Sequence, residues 1–248
     1  MQRNFLSQTA FIIQARMTST RLPGKILLPV LGKPLLELQI ERLRRVRSDV
    51  KIIIATTKND SDQCIVDFSE KNQILLYRGS ETDVLSRYYE AASKYEVKNI
   101  IRITSDCPLI DPEVIDQLIE TYRSEDDIDY ASNTLIRTYP RGMDAEIFAY
   151  TALEKAFYFG KSAFQREHVT PYIYQNPDIF KLKNQANLKD LSEIRLTVDT
   201  REDFELIMKV YEYLYPQDHN FGLQEIVKLF EVQPDLLKIN AHIEQKKN

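Results

Sequence analysis

The sequence AFIIQARMTSTRLPGK occupies residues 10–25 and joins a short apolar run to a polar, cationic loop. The run at 10–15 is short and almost entirely apolar, which predicts a strand that is covered on both faces. The ten residues that follow hold three cations, three hydroxyl side chains and a Pro-Gly turn. Open α/β sheets bind ligands beyond the carboxyl ends of their strands. The segment therefore predicts both an α/β fold and a ligand-binding loop.

The apolar runs in the rest of the first half repeat this strand pattern. Helix-sized amphipathic segments separate them, and Asp83 precedes one of these as a candidate N-cap. The predicted strands cover 10–15, 52–55, 74–77 and 100–103, and the predicted helices cover 35–45, 61–71 and 83–95. This alternation predicts right-handed parallel crossovers. We expect an open, mostly parallel twisted sheet with helices on both faces.

The second half of the chain is less regular, although no linker divides it. Short strands are predicted at 129–132, 145–150 and 194–198, and helices at 151–159, 167–175 and 202–215. We expect a single domain over residues 1–248, in which residues 130–190 form a smaller mixed lobe that contacts a second substrate. The region after about residue 216 is weakly patterned, and the sequence assigns it no role.

The composition fits a globular protein that acts on small molecules. Apolar residues make up 43% of the chain, charged residues make up 28%, and the formal net charge is −4. This acidic balance argues against nucleic acid or a membrane surface as a partner. No apolar run approaches the length of a membrane-spanning helix, and the N-terminus lacks a secretory pattern. The two cysteines, Cys64 and Cys107, show neither metal nor disulfide spacing, so we expect a cytoplasmic protein.

The loop at 16–25 has the chemistry of a triphosphate site. Its backbone N–H groups and hydroxyls can surround phosphate oxygens, while Arg16, Arg21 and Lys25 can neutralise the phosphate charge during catalysis. The loop lacks the spacing of a Walker A motif and of the dinucleotide-binding glycine fingerprint. A solvated basic loop is the alternative interpretation. The position directly after a buried strand favours phosphate binding.

Two acidic residues that are far apart in the chain are candidates for a magnesium site. Asp106 follows the predicted strand at 100–103, and Asp199 follows the predicted strand at 194–198. Taken singly, Asp106 is equally well explained as a turn residue and Asp199 as a helix N-cap. Together they match the one or two carboxylates that usually bind Mg²⁺ beside a nucleotide polyphosphate.

Several motifs occur in an order that resembles the sugar-acid cytidylyltransferases. This family includes the enzymes that make CMP-octulosonate and CMP-sialic acids, and the resemblance is closest to its SpsF-like, spore-coat polysaccharide branch. The motifs are IQAR at 13–16, STRLPGK at 19–25, GKPL at 32–35, SDCPLI at 105–110, YPRGMDAE at 139–146, REHVTP at 166–171 and VDTRED at 198–203. The resemblance spans most of the chain up to residue 215, and it implies the nucleotidyltransferase form of the Rossmann-like fold.

The resemblance also implies roles for individual residues. It places Mg²⁺ on Asp106 and Asp199. Where the octulosonate enzymes carry glutamine, glycine and glutamate around the first aspartate, this chain has Thr104 and Ser105 before Asp106, which argues against octulosonate as the acceptor. The implied nucleotide contacts are Ala15, Arg16, Ser19, Lys25, Arg78, Ser80 and Asp106. For the segment after the third strand, a helix-capping box with an arginine on the surface is the alternative.

The less regular lobe carries two polar clusters that could bind the acceptor. The candidate residues are Arg141, Asp144, Glu146, Arg166, Glu167 and His168. Asp144 and Glu146 alternate along a predicted strand, so both carboxylates share a face and can bind sugar hydroxyls, while Arg141 can pair with an acceptor carboxylate. His168 could orient the acceptor or accept a proton, although a lone histidine at a helix start is more often a capping or packing residue.

The sequence therefore predicts an enzyme that transfers CMP from CTP to a hydroxyl of a sugar acid and releases pyrophosphate, for surface polysaccharide biosynthesis. Mg²⁺ is the expected cofactor, CTP and a sugar-acid-like acceptor are the expected partners, and the resemblance implies a homodimer. Two alternatives stay open. One is a nucleotidyltransferase that uses a sugar 1-phosphate, a phosphonate or a different base, and the other is a non-catalytic nucleotide-binding protein of polysaccharide assembly.

Overall fold

The structure is a computed structural model that describes residues 8–47 and 50–244. Its strands in chain order are β1 (Thr9–Gln14), β2 (Pro29–Val30), β3 (Lys33–Pro34), β4 (Lys51–Thr57), β5 (Leu75–Gly79), β6 (Asn99–Thr104), β7 (Tyr130–Ser132), β8 (Glu146–Ala149) and β9 (Leu182–Asn184). Within the described ranges, seven of them form one open sheet in the order β5-β4-β1-β6-β8-β7-β9, and β2 and β3 form a separate hairpin. This architecture confirms the predicted fold class.

The four strands predicted in the first half form the parallel part of the sheet. In β1, Ile12 is aligned with Ile53 of β4 on one side and with Arg102 of β6 on the other. β5 extends the sheet beyond β4, also in parallel. The chain therefore builds outward from β1 and then returns to the opposite side of β1 with β6. Ligands bind where the strand order reverses in this way, which here is the crevice at the carboxyl ends of β1 and β6.

Three strands extend the sheet beyond β6 and make it mixed. β8 is antiparallel to β6, β7 is antiparallel to β8, and β9 is parallel to β7. The predicted strands at 129–132 and 145–150 are confirmed as β7 and β8. The mixed strands place part of the second half of the chain beside the parallel strands of the sheet.

The prediction of a strand at 194–198 is wrong. This segment forms only an isolated bridge, between Arg141 and Arg195. The N–H of Leu196 donates to the carbonyl of Arg141 at 2.7 Å, and the N–H of Val198 donates to the carbonyl of Asp106 at 2.8 Å. Both acceptors belong to loops, so the segment ties two loops together instead of joining the sheet.

The helices confirm most of the predicted pattern. In chain order they are α1 (Leu35–Leu43), α2 (Gln63–Lys71), α3 (Val84–Lys94), α4 (Pro112–Arg123), α5 (Tyr150–Phe159), α6 (Ala163–His168), α7 (Pro171–Tyr174), α8 (Arg201–Leu214) and α9 (Leu223–Val232). Asp83 caps α3 as predicted, accepting a hydrogen bond from the N–H of Ser86. The sequence pattern did not predict α4 or α9. None of the described helices has the length and apolar character needed to cross a membrane.

The prediction of one helix at 167–175 is wrong, because two short helices, α6 and α7, cover parts of this segment. Val169 follows α6 with a φ of 72°, which is a left-handed conformation that ends a helix. Pro171 begins α7, and proline lacks the N–H that a continuous helix would need at this position. The break between the helices lets the hydroxyl of Thr170 donate to Glu146 at 2.8 Å.

Apolar side chains on both faces of the sheet form the core. Phe11 and Ile13 of β1 pack with α1, α2 and α4, whereas Ala10 and Ile12 pack with α3 and α5. All four side chains are fully buried, as expected for a strand that is covered on both sides. A third apolar cluster joins α8 and α9 to α1 and includes Leu196. The C-terminal region, to which the sequence assigned no role, therefore completes the core beside α1.

Gly142 lets the turn before β8 pack directly against the segment that leads to Asp199. Its φ of +97° lies in the left-handed region. A Cβ atom at this position would lie 2.5–2.6 Å from backbone atoms of Leu196 and Thr197. Glycine meets both requirements, because it has no Cβ and adopts positive φ values readily.

A buried ion-pair network anchors the start of α8. Nε and Nη2 of Arg195 donate to the two carboxylate oxygens of Asp203 at 2.8 and 2.9 Å. The side-chain amide of Asn240 donates to Asp203 at 2.9 Å and to the carbonyl of Arg195 at 3.1 Å. The N–H groups of Asp199 and Thr200 also donate to Asp203. Burial opposes ionisation of Asp203, but these hydrogen bonds and the charge of Arg195 outweigh it and lower the pKa of Asp203.

Replacing Gly142 with alanine should destabilise the protein, because the added methyl group would meet backbone atoms at 2.5–2.6 Å. We expect the free energy of unfolding to fall by at least ~3 kcal/mol, or ~6–12 °C in melting temperature. Gly32→Ala is the matched control, since Gly32 has a φ of +79° and nothing within 4 Å of its Cβ position. The control should lose only ~1 kcal/mol. Equal losses in calorimetry would contradict this explanation.

Asp203→Asn should also destabilise the protein, because it removes one of the two carboxylates that pair with the buried Arg195 and leaves only Asp199, a change that costs up to about 3–5 kcal/mol. The pKa of Asp203 is lowered in the folded state. Its stabilising contribution is therefore complete above the unfolded carboxyl pKa of about 4, and it is lost as the pH falls through the lower folded value. Denaturant unfolding should show the largest difference from wild type near pH 7 and a narrowing difference below about pH 4.

Glu205→Gln is the control for this prediction, because Glu205 is exposed on the same helix. It should change the free energy of unfolding by less than ~0.5 kcal/mol. A difference between wild type and Asp203→Asn that does not depend on pH would show that the carboxylate charge does not stabilise the network.

Candidate active site

Residues 16–25 form a compact loop at the carboxyl end of β1. The N–H of Met17 donates to Oδ1 of Asp62 at 2.8 Å, and the N–H groups of Ser19 and Gly24 donate to the carbonyl of Met17 at 3.0 Å. Gly24 has a φ of 72° and precedes the short 3₁₀ helix that begins at Lys25. Asp62, which the sequence pattern did not single out, is fully buried and anchors the loop. This geometry directs Lys25 toward the loop that follows β6.

Lys25 is the point at which three distant parts of the chain meet. Its Nζ lies 3.2 Å from Oδ2 of Asp106 and 2.9 Å from Oδ1 of Asp199, and it donates to the carbonyl of Val198 at 2.6 Å. Burial favours the neutral amine, but the two carboxylates outweigh this effect and raise the pKa of Lys25. The ammonium group therefore stays charged at neutral pH. We call Lys25, Asp106 and Asp199 the Lys25 cluster.

The loop that carries Asp106 is held in place from α1. Nε2 of Gln39 donates to the carbonyls of Thr104 and Cys107 at 2.8 and 2.9 Å. The hydroxyl of Thr104 donates to Oδ1 of Asp106, and the N–H of Val198 donates to the Asp106 carbonyl. These contacts restrain the backbone and one carboxylate oxygen of Asp106, so that its other oxygen contacts Lys25.

Asp199 is surrounded by cations. Besides Lys25, Nη2 of Arg21 and Nη2 of Arg195 each lie 2.9 Å from Oδ2 of Asp199. Burial opposes ionisation of this carboxylate, but the charges of Lys25 and Arg21 and the hydrogen bond from Arg195 outweigh it and lower the pKa of Asp199. The alternative interpretation of Asp199 as the N-cap of α8 is wrong, because Thr200 occupies that position.

The chemistry of the Lys25 cluster fits a divalent cation that is shared with a phosphate ligand. Asp106 and Asp199 contact the same nitrogen atom, so one metal ion between them could touch both carboxylates. Each of the four carboxylate oxygens already has a donor, so Lys25 would have to move. In residues 8–47 and 50–244, no cluster of three or more His, Cys, Asp or Glu side chains is arranged to hold a metal. Phosphate and water oxygens would therefore complete the coordination.

The predicted nucleotide contacts in β1 and its loop lie around this crevice. Ala15 is buried, and its N–H donates to the carbonyl of Ala55 at 3.1 Å. Ser19 is half-buried. Arg16 is partly exposed, with Nη1 3.9 Å from Oε1 of Glu81. The side chains of Arg16 and Ser19 are therefore open to a ligand, whereas the N–H of Ala15 already has a partner.

Arg78 and Ser80 have structural partners of their own. The guanidinium group of Arg78 donates to the carbonyls of Thr57 and Asn59 at 2.9 and 3.0 Å. Oγ of Ser80 accepts a hydrogen bond from the N–H of Asp83 at 3.1 Å. These contacts order the loops after β4 and β5, as the capping interpretation anticipates. Nucleotide binding by Arg78 and Ser80 stays a prediction.

A cavity of about 430 Å³ adjoins the Lys25 cluster on the side of the mixed strands. Four of the predicted acceptor-binding residues line it: Arg141, Asp144, Glu146 and His168. Thr104 also lines the cavity, and its hydroxyl donates to Asp106. A molecule in this cavity would therefore lie directly beside the Lys25 cluster. We call it the acceptor cavity.

Glu146 supports the wall of the acceptor cavity through both carboxylate oxygens, and its contact with a sugar hydroxyl stays a prediction. Its Oε1 accepts hydrogen bonds from the hydroxyls of Tyr130 and Thr170 at 2.7 and 2.8 Å, and its Oε2 pairs with Arg102 at 2.5 Å. Arg102 also lines the cavity, and the sequence pattern did not single it out. The sequence could have indicated Arg102, because it is a cation within the otherwise apolar run at 100–103. Charged residues are rarely buried in a strand unless they have a partner.

Arg141 contributes an uncompensated positive charge to the acceptor cavity. Nη1 and Nη2 of Arg137 donate to the two oxygens of Asp144 at 2.6 and 2.7 Å, and Arg102 is paired with Glu146. Among the described residues, no hydrogen bond or ion pair involves the guanidinium group of Arg141. Burial and the charge of Arg137 lower the pKa of Arg141, although an arginine stays protonated at neutral pH. The cavity is therefore suited to an anion.

The second predicted acceptor cluster is divided between the cavity and the surface. Nε of Arg166 donates to Asp83 at 2.9 Å, Glu167 is exposed, and neither lines the acceptor cavity. His168 does line it, with its ring centroid 4.7 Å from that of Phe164. Burial lowers the pKa of His168 below its ordinary value. The imidazole is therefore neutral near pH 7 and could accept a proton.

Comparison with known proteins identifies the family of this chain. A cytidylyltransferase family model matches residues 10–247. Uncharacterized protein MJ1063 of Methanocaldococcus jannaschii is 40% identical over 242 residues, which cover 95% of each chain. The spore coat polysaccharide biosynthesis protein SpsF of Bacillus subtilis is 31% identical over 93% of this chain and 97% of its own. A solved cytidylyltransferase structure from Leptospira borgpetersenii aligns with a TM-score of 0.88 and 33% identity, covering 97% of this chain and 99% of that one.

These similarities extend over nearly the full length of each protein and are not confined to the phosphate-binding loop. They confirm the family and the SpsF-like branch that the motifs indicated, and with them the nucleotidyltransferase class of the enzyme. The chain belongs to the cytidylyltransferase family.

Proposed function

We propose that this cytidylyltransferase transfers CMP from CTP to a hydroxyl group of a sugar acid and releases pyrophosphate. The observation that carries the proposal is that Thr104, which donates to Asp106 of the Lys25 cluster, also lines a cavity that contains Arg141, whose guanidinium group has no ion pair among the described residues. The cluster offers the charges that a triphosphate requires, and Arg141 offers a cation for the carboxylate of the acceptor. The similarity to a spore coat polysaccharide biosynthesis protein supports a role in surface polysaccharide biosynthesis.

The proposed reaction is an in-line displacement at the α-phosphorus of CTP. The acceptor oxygen forms a bond to the α-phosphorus, the bond from that phosphorus to the pyrophosphate oxygen breaks, and the acceptor hydroxyl gives its proton to water or to the neutral imidazole of His168 in the acceptor cavity. Lys25 and Arg21 both contact Asp199, and Arg16 lies on the same loop. These three cations would neutralise the triphosphate and the leaving pyrophosphate. Positive groups that are already in place stabilise charge as it develops in the transition state.

We further propose that Asp106 and Asp199 hold Mg²⁺ when the nucleotide is bound. Bound there, Mg²⁺ would supply positive charge next to the α-phosphate. Lys25 contacts both carboxylates, so its ammonium group would exchange these partners for phosphate oxygens when the nucleotide enters. The exchange keeps the ammonium group and both carboxylates compensated throughout, which a buried site requires.

The charge balance of the acceptor cavity favours a monoanionic acceptor. The pairs Arg102–Glu146 and Arg137–Asp144 are each neutral, which leaves the charge of Arg141. A single carboxylate matches this charge and the fork geometry of a guanidinium group. A sugar 1-phosphate carries nearly two negative charges at neutral pH and would leave one of them uncompensated. A sugar acid therefore fits the cavity better than the alternative acceptors.

Lys25→Met and Asp106→Asn should each lower the rate of pyrophosphate release from CTP by about 10²–10³-fold, because each removes a charge placed at the reacting phosphates. The assay uses a panel of nucleotides and sugar acids, with Mg²⁺ and with EDTA, and chelation should stop turnover. Lys71→Met, which changes an exposed lysine at the end of α2, is the matched control and should retain wild-type activity. Wild-type turnover in both site variants would reject their proposed roles.

Arg141→Gln should raise the KM for the sugar acid by about tenfold or more, because the acceptor carboxylate loses a charge-assisted hydrogen bond. The KM for CTP should change little, since Arg141 lies in the acceptor cavity. The control is the same sugar with its carboxylate converted to an amide. Wild-type enzyme should discriminate between acid and amide, and the variant should not. Persistent discrimination in the variant would mean that another group binds the carboxylate.

A further inference from the structure

A second cavity of about 300 Å³ lies between α1, the C-terminal end of α8 and the turn at 219–220. Its wall includes Arg42 and Arg45 of the α1 segment and Tyr215 and His219, whose rings are stacked with centroids 4.3 Å apart. α8 begins next to Asp199 and ends at this cavity. α8 is about 20 Å long, so the cavity and the Lys25 cluster lie at opposite ends of this helix.

Arg42 in the wall of this cavity is a buried cation without an anionic partner. Its side chain is 2% exposed. Nε donates to the carbonyl of Ile110 at 2.8 Å and Nη2 donates to the carbonyl of Phe221 at 2.9 Å, while Nη1 is buried and has no partner within the described ranges. No carboxylate of the described chain forms an ion pair with Arg42. A buried charge is costly unless it is paired, so this position calls for a counterion.

Arg45 adds a second uncompensated guanidinium group at the rim. It donates to the carbonyls of His219 and Asn220 at 3.0 and 2.9 Å, and it too forms no ion pair with a described carboxylate. Burial and the charge of Arg42 lower the pKa of Arg45, and the charges of Asp111 and Asp218 offset this only in part. The two guanidinium groups therefore repel one another, and an anion between them would relieve that repulsion.

Among the described residues, the wall of the cavity contains one carboxylate, and that carboxylate already has partners. Glu41 pairs with Lys33 at 2.5 Å and accepts a hydrogen bond from the hydroxyl of Tyr215 at 3.0 Å. The charges of Lys33 and Glu41 cancel. The formal charge of the cavity wall is therefore that of the two arginines.

We propose that this cavity is a binding site for a phosphate group, either free or carried by a small metabolite. Two guanidinium groups provide the planar N–H donors that suit a tetrahedral oxyanion, and the cavity volume of about 300 Å³ exceeds what a phosphate group alone would fill. Arg42 donates to Ile110, and Tyr211, also in the wall, donates to the carbonyl of Pro108 at 2.8 Å. Both carbonyls belong to the segment that follows Asp106. A ligand here would therefore stiffen the loop that positions Asp106.

The proposal does not depend on the transferase activity, and the test is a binding measurement in a background from which Lys25 has been removed. Isothermal titration calorimetry with inorganic phosphate at constant ionic strength should show one bound phosphate per chain in Lys25→Met. Adding Arg45→Gln should weaken this binding by about tenfold or more, because one charge-assisted contact is lost. Adding Arg44→Gln instead should leave it unchanged, since Arg44 is exposed on the same segment and does not line the cavity.

A parallel titration with ribose 5-phosphate identifies the source of the phosphate. Tighter binding than inorganic phosphate, with the same dependence on Arg45, would indicate a phosphorylated metabolite, and equal or weaker binding would indicate the free ion. Arg42→Met is a second probe in the same background, and circular dichroism reports whether this variant is folded. No phosphate binding in Lys25→Met, or binding that is unaffected by Arg45→Gln, would overturn the proposal.

Discussion

The ammonium group of Lys25 is the contact on which the site depends. It joins residues that are 81 and 174 positions away in the sequence, and it does so at a largely buried position. Because each charge is costly without the others, the three side chains stabilise a single arrangement. The same arrangement holds two carboxylates and a cation at the end of the sheet where the strand order reverses.

The surrounding structure restrains each member of this cluster separately. Gln39 holds the loop of Asp106, the network of Arg195 and Asp203 holds the backbone that leads into α8, and Gly142 lets a turn of the mixed lobe approach that backbone. The C-terminal region joins this support through Asn240. A site made of residues from distant segments needs such support, because charged side chains on unrestrained loops would separate.

Charge compensation differs among the Lys25 cluster, the acceptor cavity and the cavity lined by Arg42 and Arg45. In the Lys25 cluster every carboxylate oxygen has a donor, so a ligand must exchange partners with the protein. In the acceptor cavity two neutral ion pairs leave Arg141 available, so a ligand can add a contact without breaking one. In the cavity lined by Arg42 and Arg45, both guanidinium groups have carbonyl partners but no counterion in the described part of the chain, so a bound anion would neutralise charge that the fold leaves there.

The sequence alone predicted the alternation of strands and helices in the first half of the chain and the cationic loop at 16–25. It also identified Asp106 and Asp199 as candidates. These features are local properties, because they depend on periodicity and on polar residues that follow a strand. Only the tertiary structure decided that the segment at 194–198 bridges two loops and that α9 completes the core beside α1. It also decided that Glu146 bonds to Arg102, Tyr130 and Thr170. These features depend on which distant groups satisfy one another's charges and hydrogen bonds once the chain is packed. No local pattern of residues encodes that pairing.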